Sequence, residues 1–432
     1  MYEIDTKLEQ LEKEGKPIRV ALVGIGQMGK DIVAQISEMK GMRLNILVAH
    51  NTTANALDAL EQAKYEGEIV ETNDPDEADA AIERGATVVA TDYKVAVKSK
   101  LITNVIDCTG SPETGARITM DCIRYHKHIV MMNVECDITV GPILRKLCEQ
   151  AGVVYSLTAG DEPGSIIEVY RFAKALGFEV VAAGKGKNNP LDFYAAPDQE
   201  PWASRAKERK MNPRMLVEFV DGSKTMIEMC AVANATGLSI DKRGMHGPKV
   251  NVKELQKVYA LKEDGGILDH SGVVDYAIGD VAPGVFVVVT TKNQRIIDGL
   301  VQRDMGTGPN YLLYRPYHLC SIETPITAAQ AAIYGESTGH PMDHLTCECI
   351  TIAKKDLKAG EKLDGIGEFC YRASIEKAEI AREGNMLPVG LAKGAKMLVD
   401  VKKDDVITYD MVELNKDSVL LQLRRLQDQM FT

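Results

Sequence analysis

The chain has 432 residues, of which 45% are hydrophobic, and its formal net charge is −11. This length predicts two or three domains, and the negative charge argues against a nucleic-acid-binding surface while leaving room for a local basic pocket. No apolar run approaches about 18 residues and no signal peptide is evident, so we expect a soluble, cytoplasmic protein without membrane contact, and the nine scattered cysteines fit reduced thiols.

The first elements predict a dinucleotide-binding turn. A charged, periodic helix is expected over Tyr2–Lys16, followed by a buried strand over Ile18–Val23 and a helix from Lys30 onward. Between strand and helix lies the pattern G-x-G-x-x-G, in which glycines allow a tight turn, close approach of a pyrophosphate and close helix–strand packing. The helix N-terminus then supplies N–H groups to the anion. A glycine-rich structural turn is the alternative. The cofactor contacts expected here are Gly24, Gly26, Gln27, Met28 and Gly29.

The end of the second predicted strand favours NADP(H) over NAD(H). That strand, Asn45–Ala49, runs into His50-Asn51-Thr52-Thr53. Sites for NAD usually carry Asp or Glu about 20 residues beyond the glycine loop, where the carboxylate binds the ribose. A 2′-phosphate would instead meet neutral groups at Asn51 and Thr52. No arginine is present in the segment, so use of both cofactors stays open.

Two further buried strands complete a predicted Rossmann domain over residues 1–152. They cover Val105–Gly110 and His128–Asn133, and the long segment Ala54–Lys100 elaborates the sheet before them. Ligands of open α/β sheets bind at the carboxyl ends of the strands. The residues expected to face the nicotinamide half are Thr109, Gly110, Ser111, Asn133 and Glu135.

The remaining chain predicts an α+β substrate and dimerisation domain over residues 153–340 and a mostly β domain over residues 341–432. The predicted elements of the substrate domain are a helix over Gly164–Leu176 and strands over Glu179–Ala183, Val217–Phe219, Val285–Thr290 and Tyr311–Tyr314. The fold class is therefore α/β with an additional β-rich C-terminal domain. We expect a homodimer.

A predicted tight loop, Gly184–Pro190, follows the strand over Glu179–Ala183. Lys185 and Lys187 would give point charges for a phosphate or carboxylate, and Asn188 and Asn189 would bind hydroxyl groups. A solvated charged turn is the alternative.

Two acidic residues at a predicted helix start are candidate metal ligands. Asp161 and Glu162 could bind a divalent cation or complement the helix dipole. Cys347 and Cys349 have no matching second pair, so a core role is predicted for them rather than a zinc site.

Several side chains could move a proton during hydride transfer or bind an anion. Lysine and histidine can donate to a substrate oxygen, glutamate can accept a proton, and arginine suits bidentate anion binding. Structural roles are the alternative for the histidines. These candidates are Lys224, Glu228, His246, Arg315, His318 and Glu323.

Together these segments resemble the homoserine-dehydrogenase-like oxidoreductases that carry a C-terminal SAF (antifreeze-like) domain. Within that group the chain resembles the bacterial 1-deoxy-D-xylulose 5-phosphate reductoisomerase-like enzymes, over nearly its whole length. The residues that carry the resemblance are 24–29, 107–110, 160–164, 184–190, 221–228, 243–248, 315–325, 352–361 and 387–394.

The resemblance implies that the substrate is rearranged and then reduced by NADPH to 2-C-methyl-D-erythritol 4-phosphate. Lys185, Lys187 and Arg315 would then hold the phosphate, and Asn188 and Asn189 the sugar hydroxyls. The acid/base candidates would be Lys224, Glu228, His246 and His318.

The chain also departs from its relatives. The Asn-Lys pair of homoserine dehydrogenases reads Asn133-Val134-Glu135 here, and Asp161-Glu162 only loosely matches the metal-binding element of reductoisomerases. The first hypothesis is thus an NADP-linked oxidoreductase for a small phosphorylated or polyhydroxylated carbonyl substrate, with a divalent metal possible. The alternatives are a homoserine-type dehydrogenase and a nucleotide-sensing binding module. The density of His, Lys and Glu in loops favours an enzyme.

Overall fold

The computed structural model describes residues 3–431, which form two compact units. Unit 1 contains residues 3–164, 319–343 and 423–431, and unit 2 contains residues 165–318 and 344–422. No helix within residues 3–431 is long and apolar enough to cross a membrane. The division into three domains, the SAF assignment of the last one, the homodimer and the cytoplasmic location stay predictions.

The first part of the chain alternates helices and strands. Its elements, in chain order, are α1 (Ile4–Lys13), β1 (Ile18–Val23), α2 (Gln27–Ser37), β2 (Met42–Val48), α3 (Ala54–Gln62), β3 (Ile69–Glu71), α4 (Pro75–Glu83), β4 (Thr87–Ala90), α5 (Lys94–Lys98), β5 (Asn104–Asp107), α6 (Pro112–Arg124), β6 (His128–Met131), α7 (Val134–Gln150) and β7 (Tyr155–Leu157).

The middle of the chain contains the second group of elements. They are α8 (Glu162–Ala175), β8 (Glu179–Lys187), α9 (Trp202–Glu208), α10 (Pro213–Val220), α11 (Ser223–Thr236), α12 (Leu255–Val258), β9 (Val273–Ile278), β10 (Val285–Thr290), α13 (Gln294–Val301), β11 (Asn310–Arg315) and α14 (Cys320–Tyr334).

The last elements are short. They are β12 (Cys347–Ala353), β13 (Tyr371–Lys377), α15 (Ala378–Glu383), β14 (Lys396–Met397), β15 (Val412–Glu413) and α16 (Val419–Met430). The leader helix is thus confirmed over Ile4–Lys13, and Tyr2, which was also expected in it, lies outside the described residues.

A seven-stranded sheet in the order β3-β4-β2-β1-β5-β6-β7 forms the centre of unit 1. All its neighbouring strands are parallel, which confirms the predicted Rossmann-type α/β fold. The chain moves outward from β1 in both directions, first to β2 and later to β5, so the strand order reverses at β1. At such a switch point the loops after two neighbouring strands leave a crevice where a ligand binds.

Unit 2 contains a four-stranded sheet in the order β11-β10-β8-β9, in which only β8 and β9 are parallel. One face of this sheet packs on an apolar core, where the rings of Phe286 and Tyr259 stack with centroids 5.1 Å apart. Strands β12 and β13 form a separate antiparallel pair. Cys347 and Cys349 are buried in β12, which confirms their predicted core role.

Strand β8 is longer than the sequence predicts. Gly184, Lys185, Gly186 and Lys187 belong to the strand, so the predicted tight loop starting at Gly184 is wrong for these four residues. A Cβ atom on Gly184 would lie 2.8 Å from the Phe286 ring, so the glycine accommodates a neighbouring strand rather than a turn. The two lysines are therefore fixed on a sheet.

The predicted strand over Val217–Phe219 is also wrong, because these residues lie in α10. The side chain of Asn212 accepts a hydrogen bond from the backbone N–H of Arg214 (3.0 Å), and Pro213 occupies the first turn. This is the usual start of a helix, and Leu216, Val217 and Val220 then bury one face at helical spacing.

Candidate functional site

The glycine loop after β1 has the geometry of a pyrophosphate cradle. Gly24 has a φ of +100°, and a Cβ atom there would lie 2.5 Å from the carbonyl oxygen of Cys108. A Cβ atom on Gly29 would overlap the carbonyl of Gly24, so helix and strand approach closely there. By contrast, apart from its chain neighbours Ile25 and Gln27, no residue among 3–431 has an atom within 4 Å of a Cβ built on Gly26, so the space in front of it is open.

The N-terminus of α2 faces this loop without a side-chain cap. Gly26 is the N-cap residue, and Gln27 and Met28 form the first turn. The first N–H groups of a helix have no partner within the helix and attract an anion. An open space bordered by such groups fits a pyrophosphate, as the sequence predicts.

The loops after β5 and β6 are tied together by the buried carboxylate of Asp107. Thr109 donates to Oδ1 of Asp107 from its backbone N–H (2.9 Å) and its hydroxyl (2.7 Å). Asn133 donates from Nδ2 to Oδ2 of Asp107 (3.1 Å) and to the backbone oxygen of Ser111 (2.8 Å). Burial raises the pKa of Asp107. Asn133, which follows β6, therefore holds the loop after β5 in place at this edge of the sheet.

The other predicted nicotinamide contacts lie at the same edge. Gly110, with a φ of +61°, belongs to the loop between β5 and α6, and Glu135 lies in the first turn of α7. Their contact with the nicotinamide stays a prediction.

The segment after β2 contains no carboxylate. His50, Asn51 and Thr52 are exposed, and Asn51 has a φ of +66°. The hydroxyl of the next residue, Thr53, donates to Glu71 at the end of β3 (2.6 Å). A carboxylate that sequence analysis did not single out thus hydrogen-bonds beside the predicted 2′-phosphate position.

Register places four residues in one row across the sheet of unit 2. Arg315 pairs with Val285, Val285 with Lys185, and Lys185 with Tyr276. Residues paired directly across strands share a face, and residues two apart on one strand do so too, so Lys187 lies on this face as well. We call it the lysine face.

Lys185 and Glu228 form an ion pair on the lysine face. Their side chains are 5% and 1% exposed, and Glu228 reaches the sheet from α11. Lys224 lies one turn earlier on the same helix and is half-buried. The pair neutralises two charges that burial would otherwise strongly disfavour.

Lys187 is buried next to this pair and donates to the backbone oxygen of Phe219. Burial, with the positive charge of Lys185, lowers the pKa of Lys187 to about 8. A lysine with such a pKa exchanges its proton close to neutral pH.

A second buried ion pair was missed by the sequence analysis. Nζ of Lys354 lies 2.8 Å from Oδ2 of Asp221, and their side chains are 3% and 0% exposed. Burial raises the pKa of Asp221, although Lys354 opposes this. Asp221 also accepts from the backbone N–H of Ser223 (2.8 Å) at the start of α11. The two partners are far apart in the chain, so no local signal could have joined them.

The structure brings His246 to an aspartate rather than to the lysines. Nε2 of His246 lies 2.7 Å from Oδ2 of Asp241, and Nε2 of His270 lies 3.6 Å from Oδ1 of the same carboxylate. Burial opposes a low pKa for Asp241, but the hydrogen bonds from His246 and from the backbone N–H of Asp269 lower it. Asp241 and His270 were not singled out from sequence.

Arg315 also has local partners. Its guanidinium donates to Glu168 (2.8 Å) and to Ser165 (3.2 Å), and it lies 4.8 Å from the centre of the Tyr317 ring. His318 is half-buried three residues further on. Arg315 thus shares a face with the lysines, but its charge is already paired with a carboxylate.

Three potential metal ligands lie together in unit 1. The ligand atoms of Asp161, Glu162 and Cys320 are all within 4.8 Å of one another, and both carboxylates are buried. The Sγ atom of Cys320 donates to Oδ1 of Asp161 (3.2 Å). Glu323, in the next turn of α14, accepts from the backbone N–H of Leu319 (3.1 Å) and so caps the helix start.

A comparison with known protein families matches the middle of the chain. Residues 160–324 match a family model described as the catalytic domain of the oxidoreductase DRL. No curated protein matches the sequence.

Solved structures with a similar chain trace were also found. A probable dehydrogenase from Thermotoga maritima is 10% identical, with a TM-score of 0.40, and the match covers 74% of this chain and 90% of that one. A DOX-P reductoisomerase with fosmidomycin and magnesium is 12% identical, with a TM-score of 0.40 and coverage of 74% and 70%. GenD2 from gentamicin A biosynthesis, in complex with NAD, is 12% identical, with a TM-score of 0.37 and coverage of 76% and 89%.

The family match and the glycine loop are two independent observations, and both indicate an oxidoreductase that uses a dinucleotide. The segment that matches the oxidoreductase family model follows a Rossmann-type sheet in the chain, and the first loop of this sheet has the space and the N–H groups that a dinucleotide requires. This confirms the prediction that the chain is an NAD(P)-dependent oxidoreductase.

Proposed function

We propose that the chain transfers hydride between NADP(H), used in preference to NAD(H), and the carbonyl carbon of a small, anionic, polyhydroxylated substrate. The observation that carries this proposal is the buried Lys185–Glu228 pair beside Lys187, whose pKa is about 8. A proton donor tuned to neutral pH is what carbonyl reduction needs at the oxygen.

The nicotinamide, when bound, supplies the hydride that the carbonyl carbon accepts. The carbonyl oxygen then gains a proton, and Nζ of Lys187 holds a proton that it can give up near pH 8. In the oxidative direction the neutral amine of Lys187 takes the hydroxyl proton back. Glu228 holds Lys185 in place, and the charge of Lys185 helps to keep the pKa of its neighbour low.

The preference for NADP(H) is supported by the segment after β2. Asn51 and Thr52 present exposed side chains without charge where NAD sites usually carry a carboxylate, and the nearby Glu71 accepts a hydrogen bond from the hydroxyl of Thr53 (2.6 Å). Binding of NADPH and NADH to the purified chain, measured by fluorescence titration, tests this directly. Equal affinities would overturn the preference and leave the oxidoreductase assignment unchanged.

We propose 1-deoxy-D-xylulose 5-phosphate as the first substrate to test. Reduction would follow an isomerisation, giving 2-C-methyl-D-erythritol 4-phosphate, as the sequence resemblance implies. The assay follows NADPH absorbance with the purified full chain. Turnover supports this reaction, whereas turnover only on an unphosphorylated hydroxy acid or amino alcohol would favour a homoserine-type dehydrogenase. NADPH binding without turnover on any carbonyl would favour a nucleotide sensor.

A divalent metal would be held by Asp161 and Glu162, with Cys320 beside them. Carboxylates suit Mg²⁺ or Mn²⁺, and the thiol adds a ligand that Zn²⁺ accepts. The same assay, run with and without each metal and with Glu162→Gln, tests this part. Turnover that is equal in all these conditions would remove the metal from the proposal.

A further inference from the structure

The cations expected to hold a substrate anion are already paired within the protein. Lys185 forms its ion pair with Glu228, Lys187 donates to the backbone oxygen of Phe219, and Arg315 donates to Glu168. The two lysines are each only 4% exposed. A doubly charged phosphate bound directly to them would have to break these contacts, whereas proton transfer needs only one further N–H of the Lys187 ammonium to reach the substrate oxygen. The phosphate therefore calls for other cations in unit 2.

A cavity of about 620 Å³ opens at the end of the strand that carries Lys187. Its volume is within the range of small-molecule sites, about 300–1,000 Å³. Asn188 directly follows Lys187, and consecutive Cα atoms are about 3.8 Å apart, so this cavity begins next to the lysine face. Its lining is formed by Asn188, Asn189, Pro190, Arg205, Glu208 and Arg209.

The two arginines of the cavity have the chemistry of an anion site. Neither Arg205 nor Arg209 has a carboxylate partner among residues 3–431, although Glu208 also lines the cavity. Residues four apart on a helix are neighbours, and two like charges in this arrangement destabilise each other. The guanidinium of Arg205 lies 5.3 Å from the centre of the Trp202 ring, which restricts its orientation.

The helix dipole alone does not account for this arrangement. A helix C-terminus favours cations, and α9 ends here, but the dipole gives no reason for both side chains to line one cavity. Arginine forms bidentate hydrogen bonds with phosphate oxygens, and carboxamides donate to and accept from hydroxyl groups. Two guanidinium groups and two carboxamides therefore match a phosphate monoester that is attached to a polyol.

We propose that this cavity is the subsite for the charged end of the substrate. Arg205 and Arg209 bind a phosphate monoester, and Asn188 and Asn189 bind the hydroxyl groups next to it. The inference rests on the proposed function for the identity of the ligand as a substrate. Binding of the phosphate group itself requires no turnover.

The test measures binding to the full chain by isothermal titration calorimetry, with glycerol 3-phosphate, glycerol and glycerate as probes. We expect Arg205→Gln and Arg209→Gln each to weaken glycerol 3-phosphate binding about tenfold, the loss expected for a hydrogen bond to a charged group. Lys207→Gln is the matched control, because it removes one charge from the same helix outside the cavity lining. The urea midpoint of each variant, compared with that of the wild-type chain, verifies that unit 2 is folded.

Each outcome decides the inference. An equal loss in all three variants would show diffuse electrostatic attraction and overturn it, as would a wild-type chain that does not bind glycerol 3-phosphate. Glycerate binding as tightly as glycerol 3-phosphate, with the same losses, would overturn the phosphate assignment in favour of a carboxylate. If phosphate binding depends on the arginines but no carbonyl substrate is turned over, the proposed function fails and the anion site remains.

Discussion

Lys185 and Glu228 form an ion pair that joins the central strand β8 to helix α11, with both side chains almost completely removed from water. Burying either charge alone would be costly, whereas the pair neutralises both charges. On the same lysine face, the pKa of Lys187 is lowered to about 8 by burial and by the charge of Lys185. The pair therefore links the stability of unit 2 to the chemistry proposed for it.

We expect Glu228→Gln to lower the free energy of unfolding by about 3–5 kcal/mol, because it removes the carboxylate that neutralises the buried charge of Lys185. Urea denaturation measures the change. Asp400→Asn is the control, since its pair with Lys358 is exposed and should contribute at most about 1 kcal/mol. Similar losses in the two variants would contradict a special role for the buried pair.

The rate of carbonyl reduction should fall as the pH rises above about 8. Below this pH Nζ of Lys187 carries the proton that the substrate oxygen needs, and above it the amine is neutral. The measurement is the pH dependence of kcat for NADPH oxidation. Lys187→Gln should lower kcat and lose this limb, whereas an unchanged profile in the variant would assign the proton to another group.

Gly26→Val should abolish cofactor binding while leaving the fold intact. The space in front of Gly26 is open to a Cβ atom, so we expect the new side chain to be accommodated by the protein and to occupy the place of the pyrophosphate. Binding of NADPH is measured by fluorescence titration. Ala34→Val adds the same side chain at an exposed position of α2 and should bind normally. Unchanged affinity in Gly26→Val would refute the placement of the pyrophosphate.

Asn51→Asp should shift the cofactor preference toward NAD(H). The new carboxylate would repel the 2′-phosphate of NADPH and accept from the ribose hydroxyl of NADH, an interaction that changes affinity about tenfold or more. Asp tolerates the left-handed backbone of this residue as Asn does. Gln62→Glu adds the same charge on α3 and should leave the ratio of the two affinities unchanged. Equal shifts in both variants would mean that only net charge matters.

Much of unit 1 could be predicted because its signals are local. Ile18–Val23 is a continuous apolar run, which is typical of a buried parallel strand, and the glycine spacing after it requires one kind of turn. Asn212-Pro213 carried an equally local helix-start signal, and giving it more weight than the apolar run at Val217 would have predicted α10 correctly.

The sequence by itself therefore determined the Rossmann-type half, its glycine loop and the set of residue types available for chemistry. Only the tertiary structure decided that Gly184–Lys187 is a strand, because the space beside Gly184 is filled by Asp275 and Phe286 from the two neighbouring strands, which lie far along the chain. It also paired Lys185 with Glu228 and brought Arg205 and Arg209 to one cavity with Asn188. The glycine turn and the apolar strand of unit 1 depend on neighbours along the chain. The extension of β8, the charge pairing and the cavity depend on neighbours in space, which a single sequence does not encode as a local pattern.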